Sequence, residues 1–301
     1  MDQLDAMRLF VRVADQGSFS LVAQQMGLAR SVVTRRISAL EGRLGAKLLA
    51  RSTRRLSLTS AGAVYRDKCR EILALVESAE TGLDAQQQRP RGLIRLSLPV
   101  GFGQRHLAPA LLAFSKQYPE IALNLDFTDR RSRLVEEGMD LAIRITERLG
   151  QQDVARRLGT AQLVVVASPD YLERHGEPAH PEELTRHECL AYTLAASASW
   201  TFIVNGKPIP VPVHGRIQAS SGSVLLQAAV EGLGITCQPH FLAEEALESG
   251  SLRAILTGFT LPEIGIYAVL PGNRHIPFRV RALIDFLHER LRTGAGGGVP
   301  R

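Results

Sequence analysis

The sequence has few cysteines and no long apolar run. Its three cysteines, Cys69, Cys189 and Cys237, are odd in number and far apart, so neither a disulfide framework nor a clustered thiolate metal site is expected. No stretch approaches the roughly 18–20 consecutive apolar residues that a membrane span needs. The first residues also lack the basic and then apolar pattern of a leader. These absences predict a cytoplasmic protein without membrane contact.

The sequence also lacks the short motifs of common catalytic sites. It contains no HExxH, GxSxG or phosphate-loop motif and no complete dinucleotide fingerprint. Its eight histidines are scattered, and no pair has the spacing of metal ligands on one helix. We therefore expect no catalytic residue, no metal site and no cofactor.

The excess charge lies at one end of the chain. The first sixty residues hold ten Arg and Lys against four Asp and Glu, which accounts for the whole net charge of +6. The rest of the 301 residues balances 26 basic against 26 acidic residues. This length suits two domains. A basic first domain joined to a neutral remainder is expected where one end of a protein meets a polyanion.

Helical patterns fill the beginning of the basic segment. Apolar residues recur at helical spacing in three stretches, which predict helices over 2–15, 21–26 and 30–44. In the third helix the predicted buried stripe is Val33, Ile37, Leu40 and Leu44. The other face carries Ser31, Thr34, Arg35 and the neighbouring Arg36, and a short turn with Gly27 precedes this helix. This arrangement is typical of a helix-turn-helix reader of DNA, although an ordinary helical domain with a solvated polar face has the same pattern.

Residues 48–59 favour the DNA-binding alternative. Their pattern predicts two short strands around a basic tip that is rich in hydroxyl groups. Such a wing can follow the phosphate backbone or enter the minor groove. Its candidate DNA contacts are Arg51, Thr53, Arg54 and Arg55.

A longer series of spaced residues connects these elements. The matching motifs are Phe19-Ser20-x2-Ala23-x3-Gly27-Leu28, Ser31-x2-Thr34-Arg35-x-Ile37-x2-Leu40-Glu41-x3-Gly45-x2-Leu48-Leu49-x-Arg51 and Leu58-Thr59-x2-Gly62. They resemble the winged helix-turn-helix of LysR-type transcriptional regulators. In one departure, Ala29 stands where that family often has a helix-capping Ser; an Ala cap typically costs about 1 kcal/mol.

A long helix is predicted to follow, with Thr59 as its cap and an end near Gln88. A heptad-like seam runs along it through Tyr65, Cys69, Ile72, Val76, Ala79 and Leu83. This stripe could pack on the second domain of the same chain, whereas the family resemblance implies that a partner chain covers it. Cys69 is then a small buried apolar residue. We place the DNA-binding domain at 1–60, the dimerising linker helix at 61–89 and a hinge at 90–92.

From Leu93 onward strands and helices alternate, as in an open α/β sheet. The resemblance continues through Tyr118-Pro119-x-Ile121, Thr128-Asp129-Arg130, Glu137-Gly138-x-Asp140-Leu141 and Gly232-x-Gly234-Ile235. It implies two α/β lobes like a type 2 periplasmic binding protein over 93–292, before a disordered tail at 293–301. The chain is expected to cross between the lobes near 165–168 and to return near 266–270.

The resemblance also implies an effector between the lobes. Ligands of open α/β sheets bind beyond the carboxyl ends of strands and against helix N-termini. The candidate effector-binding residues are Pro99, Val100, Phe102, Thr128, Arg144, Trp200, Ser220 and Ser221. A small organic anion would suit them, although Arg144 could instead pair with Asp140 or Asp129.

The fold class expected is therefore multidomain: a winged helix-turn-helix rich in α-helix, a long linker helix and a two-lobed α/β domain. The function expected is a sequence-specific, effector-controlled DNA-binding regulator of the LysR type and not an enzyme. Its implied partners are double-stranded DNA, a small-molecule effector, a second or further copies in a homodimer or homotetramer, and RNA polymerase. The alternative is a solute-binding or catalytic α/β protein whose basic N-terminus is incidental.

Overall fold

The chain folds into two compact units. The computed structural model describes residues 2–51, 56–83, 90–131, 133–151, 153–195, 199–204, 206–272 and 276–292. The first unit comprises residues 1–88 with 274–278, and the second comprises 89–273 with 279–301. The predicted tail at 293–301 and the predicted end of the linker helix at 84–88 lie outside the described residues.

The first unit is built from helices and one small hairpin. In chain order its elements are α1 (Gln3–Gln16), α2 (Phe19–Gln25), α3 (Arg30–Leu44), β1 (Leu49–Arg51), β2 (Leu56–Leu58) and α4 (Ser60–Leu83). Gly17 and Gly45 end α1 and α3 in the left-handed conformation, which glycine adopts without steric cost. Ser18 caps α2 by accepting a hydrogen bond from the amide of Leu21. Phe10 is fully buried at the centre of the shared core.

The buried stripe of α3 differs from the prediction at its end. Val33, Ile37 and Leu40 are buried as predicted, but Leu44 is 40% exposed. Glu41 is buried in its place. The carboxylate can be buried because one of its oxygens accepts hydrogen bonds from the amides of Leu48 and Leu49 at the start of the hairpin that follows the helix. The helical spacing of apolar residues located the stripe of α3 but did not indicate that the carboxylate of Glu41 would be buried within it.

The apolar stripe of α4 is divided between two environments. Cys69 has no exposed surface and packs in the core of its own unit, where the Tyr65 ring lies 5.5 Å from that of Phe10. Cys69 therefore cannot contact a second chain, which corrects its assignment to the dimerising seam. Spacing alone does not reveal which part of a long stripe the chain itself covers. Ile72 is 38% exposed, and the side chains of Ala79 and Leu83 are outside the described part.

The second unit alternates strands and helices. Its elements are β3 (Gly92–Leu98), α5 (Val100–Phe102) continuing as a π-helical turn (Gly103–Leu107), α6 (Ala108–Gln117), β4 (Ile121–Phe127), α7 (Leu134–Glu137), β5 (Leu141–Thr146), β6 (Val154–Ala161), β7 (Leu163–Ala167), α8 (Pro169–His175), a 3-10 turn (Pro181–Arg186), β8 (Cys189–Tyr192), β9 (Ser199–Val204), β10 (Lys207–Pro212), β11 (Gln218–Ala219), α9 (Gly222–Val230), β12 (Ile235–Pro239), α10 (His240–Glu248), β13 (Arg253–Ile255), β14 (Ile264–Leu270) and α11 (Phe278–Arg292).

Two five-stranded sheets divide this unit into two lobes. Lobe I has the strand order β4-β3-β5-β14-β6, and lobe II has the order β11-β8-β12-β7-β13. In lobe I, β3 runs parallel to β4 and β5, whereas β14 is antiparallel to both of its neighbours. In lobe II, β7 is antiparallel to β12 and β13, and the hairpin of β9 and β10 packs beside this sheet.

The chain passes between the lobes twice, and both crossings precede the predicted positions. The whole of β7 pairs within lobe II, so the first crossing lies at Gln162 rather than at 165–168. The whole of β14 pairs within lobe I and Thr260 pairs with β9 beside lobe II, so the return lies at 261–263 rather than at 266–270. Both predicted positions fell inside apolar strands, which are apolar because each lies in the interior of a sheet.

Candidate functional site

The face of α3 opposite its buried stripe carries the predicted DNA contacts. Ser31 and Arg35 are exposed, whereas Thr34 and Arg36 are partly buried. Ala29 precedes the helix in an extended conformation, and its side chain makes no capping hydrogen bond, as its chemistry requires. The helix thus presents hydroxyl and guanidinium groups to solvent within the unit that carries the excess charge.

Glu41 links α3 to the first strand of the wing. One carboxylate oxygen accepts hydrogen bonds from the amides of Leu48 at 2.9 Å and Leu49 at 3.2 Å, and the other lies 3.0 Å from Nζ of Lys47. Burial acts to raise the pKa of Glu41, but these donors outweigh it and hold the pKa below its ordinary value. The sequence reasoning missed this residue as a structural anchor, although its place within the family motif was a usable signal.

The base of the wing is joined to the start of α4. Oγ1 of Thr59 donates to the carbonyl of Lys47 at 2.7 Å and accepts from the amide of Gly62 at 2.9 Å, so Thr59 caps α4 as predicted. A Cβ on Gly62 would lie 1.9 Å from the carbonyl oxygen of Leu48, which requires glycine at this position. Arg51 belongs to β1. The Arg51 side chain and the predicted contacts Thr53, Arg54 and Arg55 lie outside the described residues.

A cavity of about 430 Å³ lies between the two lobes of the second unit. Five predicted effector-binding residues line it: Pro99, Phe102, Thr128, Arg144 and Trp200. Residues of lobe I and lobe II thus contribute to one cavity, which has the size of a small-molecule site.

Three predicted effector-binding residues do not line this cavity. Val100, the first residue of α5, is half-buried, and its amide donates to Oδ1 of Asp129 at 2.9 Å. Ser220 and Ser221 precede α9, and the next two residues, Gly222 and Ser223, line the cavity instead. The predicted segment thus adjoins the cavity, but the residues that line it come two positions later than Ser220 and Ser221. The exact side of a turn that faces a cavity depends on backbone angles that residue types do not specify.

Arg144 lies on the wall that lobe I contributes to the cavity. Its guanidinium donates to Oγ of the fully buried Ser97 at 2.9 Å and to the carbonyl of Ile143 at 3.2 Å. Burial lowers the pKa of Arg144, and the negative charges of Glu137 and Asp129 oppose that shift. The arrangement holds a partly desolvated cation at the surface of the cavity.

The sequence reasoning missed several residues of the lobe II wall. Gln238 is 3% exposed and donates to Oγ1 of Thr236 at 2.9 Å, with its side chain beside the cavity. Burial, with the nearby charge of Asp129, raises the pKa of Tyr192 to about 12, so this phenol remains protonated. Burial likewise raises the pKa of Cys237 to about 12, which keeps its thiol protonated and poorly nucleophilic.

Within the described residues, neither a metal-binding cluster nor a membrane-spanning helix is present. In the part of the chain that the structure describes, no cluster of three or more His, Cys, Asp or Glu side chains is arranged to hold a metal ion. No helix in the same part has both the length and the apolar character that crossing a membrane requires.

Family models match both units of the chain. Residues 4–63 match the bacterial regulatory helix-turn-helix proteins of the lysR family. Residues 87–292 match the LysR substrate binding domain. The chain belongs to the LysR family. It is a LysR-type transcriptional regulator with an N-terminal helix-turn-helix domain and a two-lobed effector-binding domain, so the predicted family, fold class and function are confirmed. Such regulators bind DNA and small-molecule effectors and are oligomeric.

Named relatives extend over almost the whole LysR-type chain. An HTH-type transcriptional regulator of Xanthomonas campestris pv. campestris (strain 8004) is 38% identical over 292 residues, which span 95% of this chain and 85% of the relative. The solved structure of CrgA from Neisseria meningitidis is 34% identical with a TM-score of 0.60, covering 95% of this chain and 98% of that chain. The full-length structure of the Vibrio cholerae virulence activator AphB is 32% identical with a TM-score of 0.57. It also covers 95% of this chain and 98% of that chain.

Proposed function

We propose that this regulator reads its operator with the exposed face of α3. Ser31, Thr34, Arg35 and Arg36 would lie in the major groove, where guanidinium and hydroxyl groups can bind base edges and phosphates. Arg51, Thr53, Arg54 and Arg55 of the wing would contact the backbone or the minor groove. The observation that carries this proposal is a polar helix face, opposite a buried stripe, within the first sixty residues, which bear the whole excess charge.

The cavity between the lobes is the proposed effector site. Phe102 and Trp200 would supply apolar contact, while Thr128, Gln238 and the cation of Arg144 would bind polar groups of the ligand. A partly desolvated guanidinium favours an organic anion over a neutral compound. Binding regulates DNA recognition only if the effector has different affinities for two arrangements of the protein.

The proposed assembly is a homodimer or a dimer of dimers that forms through α4. Val64, Ile72 and Leu75 expose 65%, 38% and 56% of their surfaces, and such a group of exposed apolar side chains on one helix is typical of a protein–protein interface. A symmetric pair would present two copies of α3 to the half-sites of one operator.

We further propose that the assembly acts in the cytoplasm through contact with RNA polymerase and without catalytic activity.

The experiment that tests DNA reading uses the full-length chain and a duplex that it selects from a random library. Arg35→Ala should weaken binding to the selected duplex by about 1–3 kcal/mol and to random duplex much less, because a lost base contact is sequence-specific. Arg8→Ala is the matched control, since it removes the same charge from an exposed position on α1.

Equal loss on both duplexes would show that Arg35 contacts only phosphate. Failure of the wild-type protein to shift any duplex at low salt would favour the alternative, a ligand-binding protein whose basic N-terminus is incidental.

A further inference from the structure

The two lobes touch where the π-helical turn after α5 meets the beginning of α10. The ring centroids of Phe102 and Phe241 are 4.9 Å apart, and the ring of His106 meets that of Phe241 edge-on at 5.5 Å. All three rings are at least 96% buried. Phe102 and His106 belong to lobe I and Phe241 to lobe II, so the cluster joins the lobes next to the first crossing, where the amide of His240 donates to the carbonyl of Gln162 at 2.8 Å.

An ion pair flanks this cluster on the solvent side. Arg105 extends from the π-helical turn of lobe I to Glu245 on α10 of lobe II. Both side chains are partly exposed, at 42% and 78%. We call this pair, together with the rings of Phe102, His106 and Phe241, the interlobe contact.

Two glycines, which have no side chain, allow the lobes to approach closely here. A Cβ on Gly101 of lobe I would lie 2.5 Å from Cδ2 of Leu242, and a Cβ on Gly222 of lobe II would lie 2.9 Å from Cδ1 of the same leucine. Leu242 on α10 therefore fits between two glycines that come from different lobes. Because protein interiors are close-packed, this fit is specific to the arrangement in which the lobes touch.

The interlobe contact and the cavity share side chains. Phe102, Phe241, Leu242 and both glycines also line the cavity, whereas Arg105 and Glu245 are not among its lining residues. A ligand in the cavity would thus touch walls that face each other only while the contact is formed. The ion pair can be changed without altering any side chain that the ligand would touch.

We propose that Arg105 and Glu245 are positioning residues for the effector site: their ion pair holds the two walls of the cavity at the spacing that a ligand needs. This inference rests on the proposed function of the cavity. A ligand that contacts both walls has a higher affinity for the arrangement in which the interlobe contact is formed. It therefore shifts the protein toward that arrangement. Weakening the pair from outside should therefore open the cavity and reduce the population competent to bind.

Trp200 makes a direct test possible, because it is the single tryptophan of the chain and lines the cavity. Acrylamide quenching of its fluorescence in the full-length protein reports how accessible the cavity is. Arg105→Glu places two negative charges together, and we expect the quenching constant to rise by about 1.5-fold to twofold, because exposed pairs change such equilibria only modestly. The exchanged pair R105E/E245R should return the constant to the wild-type value.

A matched ion pair within lobe II supplies the control. Arg253 and Glu177 are similarly exposed but do not join the lobes, so Arg253→Glu should leave the quenching constant unchanged.

If R105E quenches like wild type, or if the exchanged pair fails to restore the constant, the proposal is overturned. Should R105E not fold, Arg105→Gln and Glu245→Gln carry the same expectation with a smaller rise. Whether the wild-type protein selects a duplex is measured in a separate binding experiment. A failure of DNA recognition can therefore be distinguished from a failure of the interlobe contact.

Discussion

The buried carboxylate of Glu41 shows how one residue can connect recognition to stability. Its two amide donors are Leu48, just before β1, and Leu49, the first residue of β1, so the negative charge fixes the wing relative to the helix that we propose reads DNA. Hydrogen bonds to a charged acceptor are stronger than those between neutral groups. The same bonds make the arrangement depend on pH, because a protonated carboxyl accepts them less well.

Glu41→Gln should therefore destabilise the first unit and do so only where the native carboxylate is ionised. The pKa of Glu41 lies below its ordinary value of 4.5, so its contribution is complete above that value and is lost as the pH falls through the folded-state pKa. At pH 7 we expect a loss of about 1–3 kcal/mol, because a neutral amide oxygen accepts the two backbone hydrogen bonds more weakly than a carboxylate and the amide NH2 would face the ammonium of Lys47.

The measurement for Glu41→Gln is hydrogen exchange of the Leu48 and Leu49 amides in the full chain. Both amides should exchange faster in the variant at pH 7, and the difference from wild type should shrink as the pH is lowered. Identical exchange at pH 7 would contradict the role of the charge. Lys47→Met tests the exposed partner alone and should have a smaller effect, because Lys47 is 78% exposed.

At the scale of elements, α4 separates into a part that the chain covers and a part that it leaves exposed. Cys69 and the residues around it stabilise the first unit, whereas Ile72 and Leu75 lie at the surface. Helical neighbours three residues apart form a continuous patch, which suits the corresponding patch of a second copy.

Ile72→Glu should therefore weaken self-association without unfolding the chain. A carboxylate placed in an apolar interface loses its hydration, so we expect the dimer dissociation constant to rise by at least about tenfold. Sedimentation velocity over a concentration series measures this change. The control is Lys68→Glu, a polar site exposed on the same helix. A sedimentation coefficient for Ile72→Glu equal to that of wild type would place the interface elsewhere.

The sequence predicted elements well where local pattern and final environment agree. The observed bounds of α3 coincide with the predicted 30–44, because the helical spacing of its apolar residues matches the face that is buried. It did not predict the bounds of β6, in which Arg156 and Arg157 interrupt the apolar pattern at the edge of a sheet. Pairing with β14, more than a hundred residues away in the chain, makes that segment a strand.

The residues of the cavity also divide into those that the local sequence pattern indicates and those that depend on contacts between distant segments. Phe102 and Arg144 could be predicted because they follow or end strands of a recognisable sheet, where ligands bind. Leu242 and Gln238 could not, since their importance comes from the way α10 and β12 meet lobe I across the cavity. No local property of these two residues distinguishes them from ordinary core residues.

At the scale of the whole molecule, the separation of charge determines how binding to DNA depends on salt. Residues 61–301 are neutral overall and contribute no net attraction to a polyanion, whereas the first sixty residues carry the excess of +6. Release of counterions from DNA gives a log–log slope of about −0.9 for each phosphate neutralised. The slope should therefore respond to substitutions in the first unit alone.

Arg54→Ala, on the predicted wing, should reduce the magnitude of this slope by about one and weaken binding to selected and random duplexes alike, because a phosphate contact carries no sequence information. Arg281→Ala removes an equal charge from an exposed position on α11 and should leave the slope unchanged. Gel-shift titrations of the full-length protein at several salt concentrations measure both. Equal changes for the two variants would mean that the charge of the whole chain, rather than the placement of its basic residues, governs attraction to DNA.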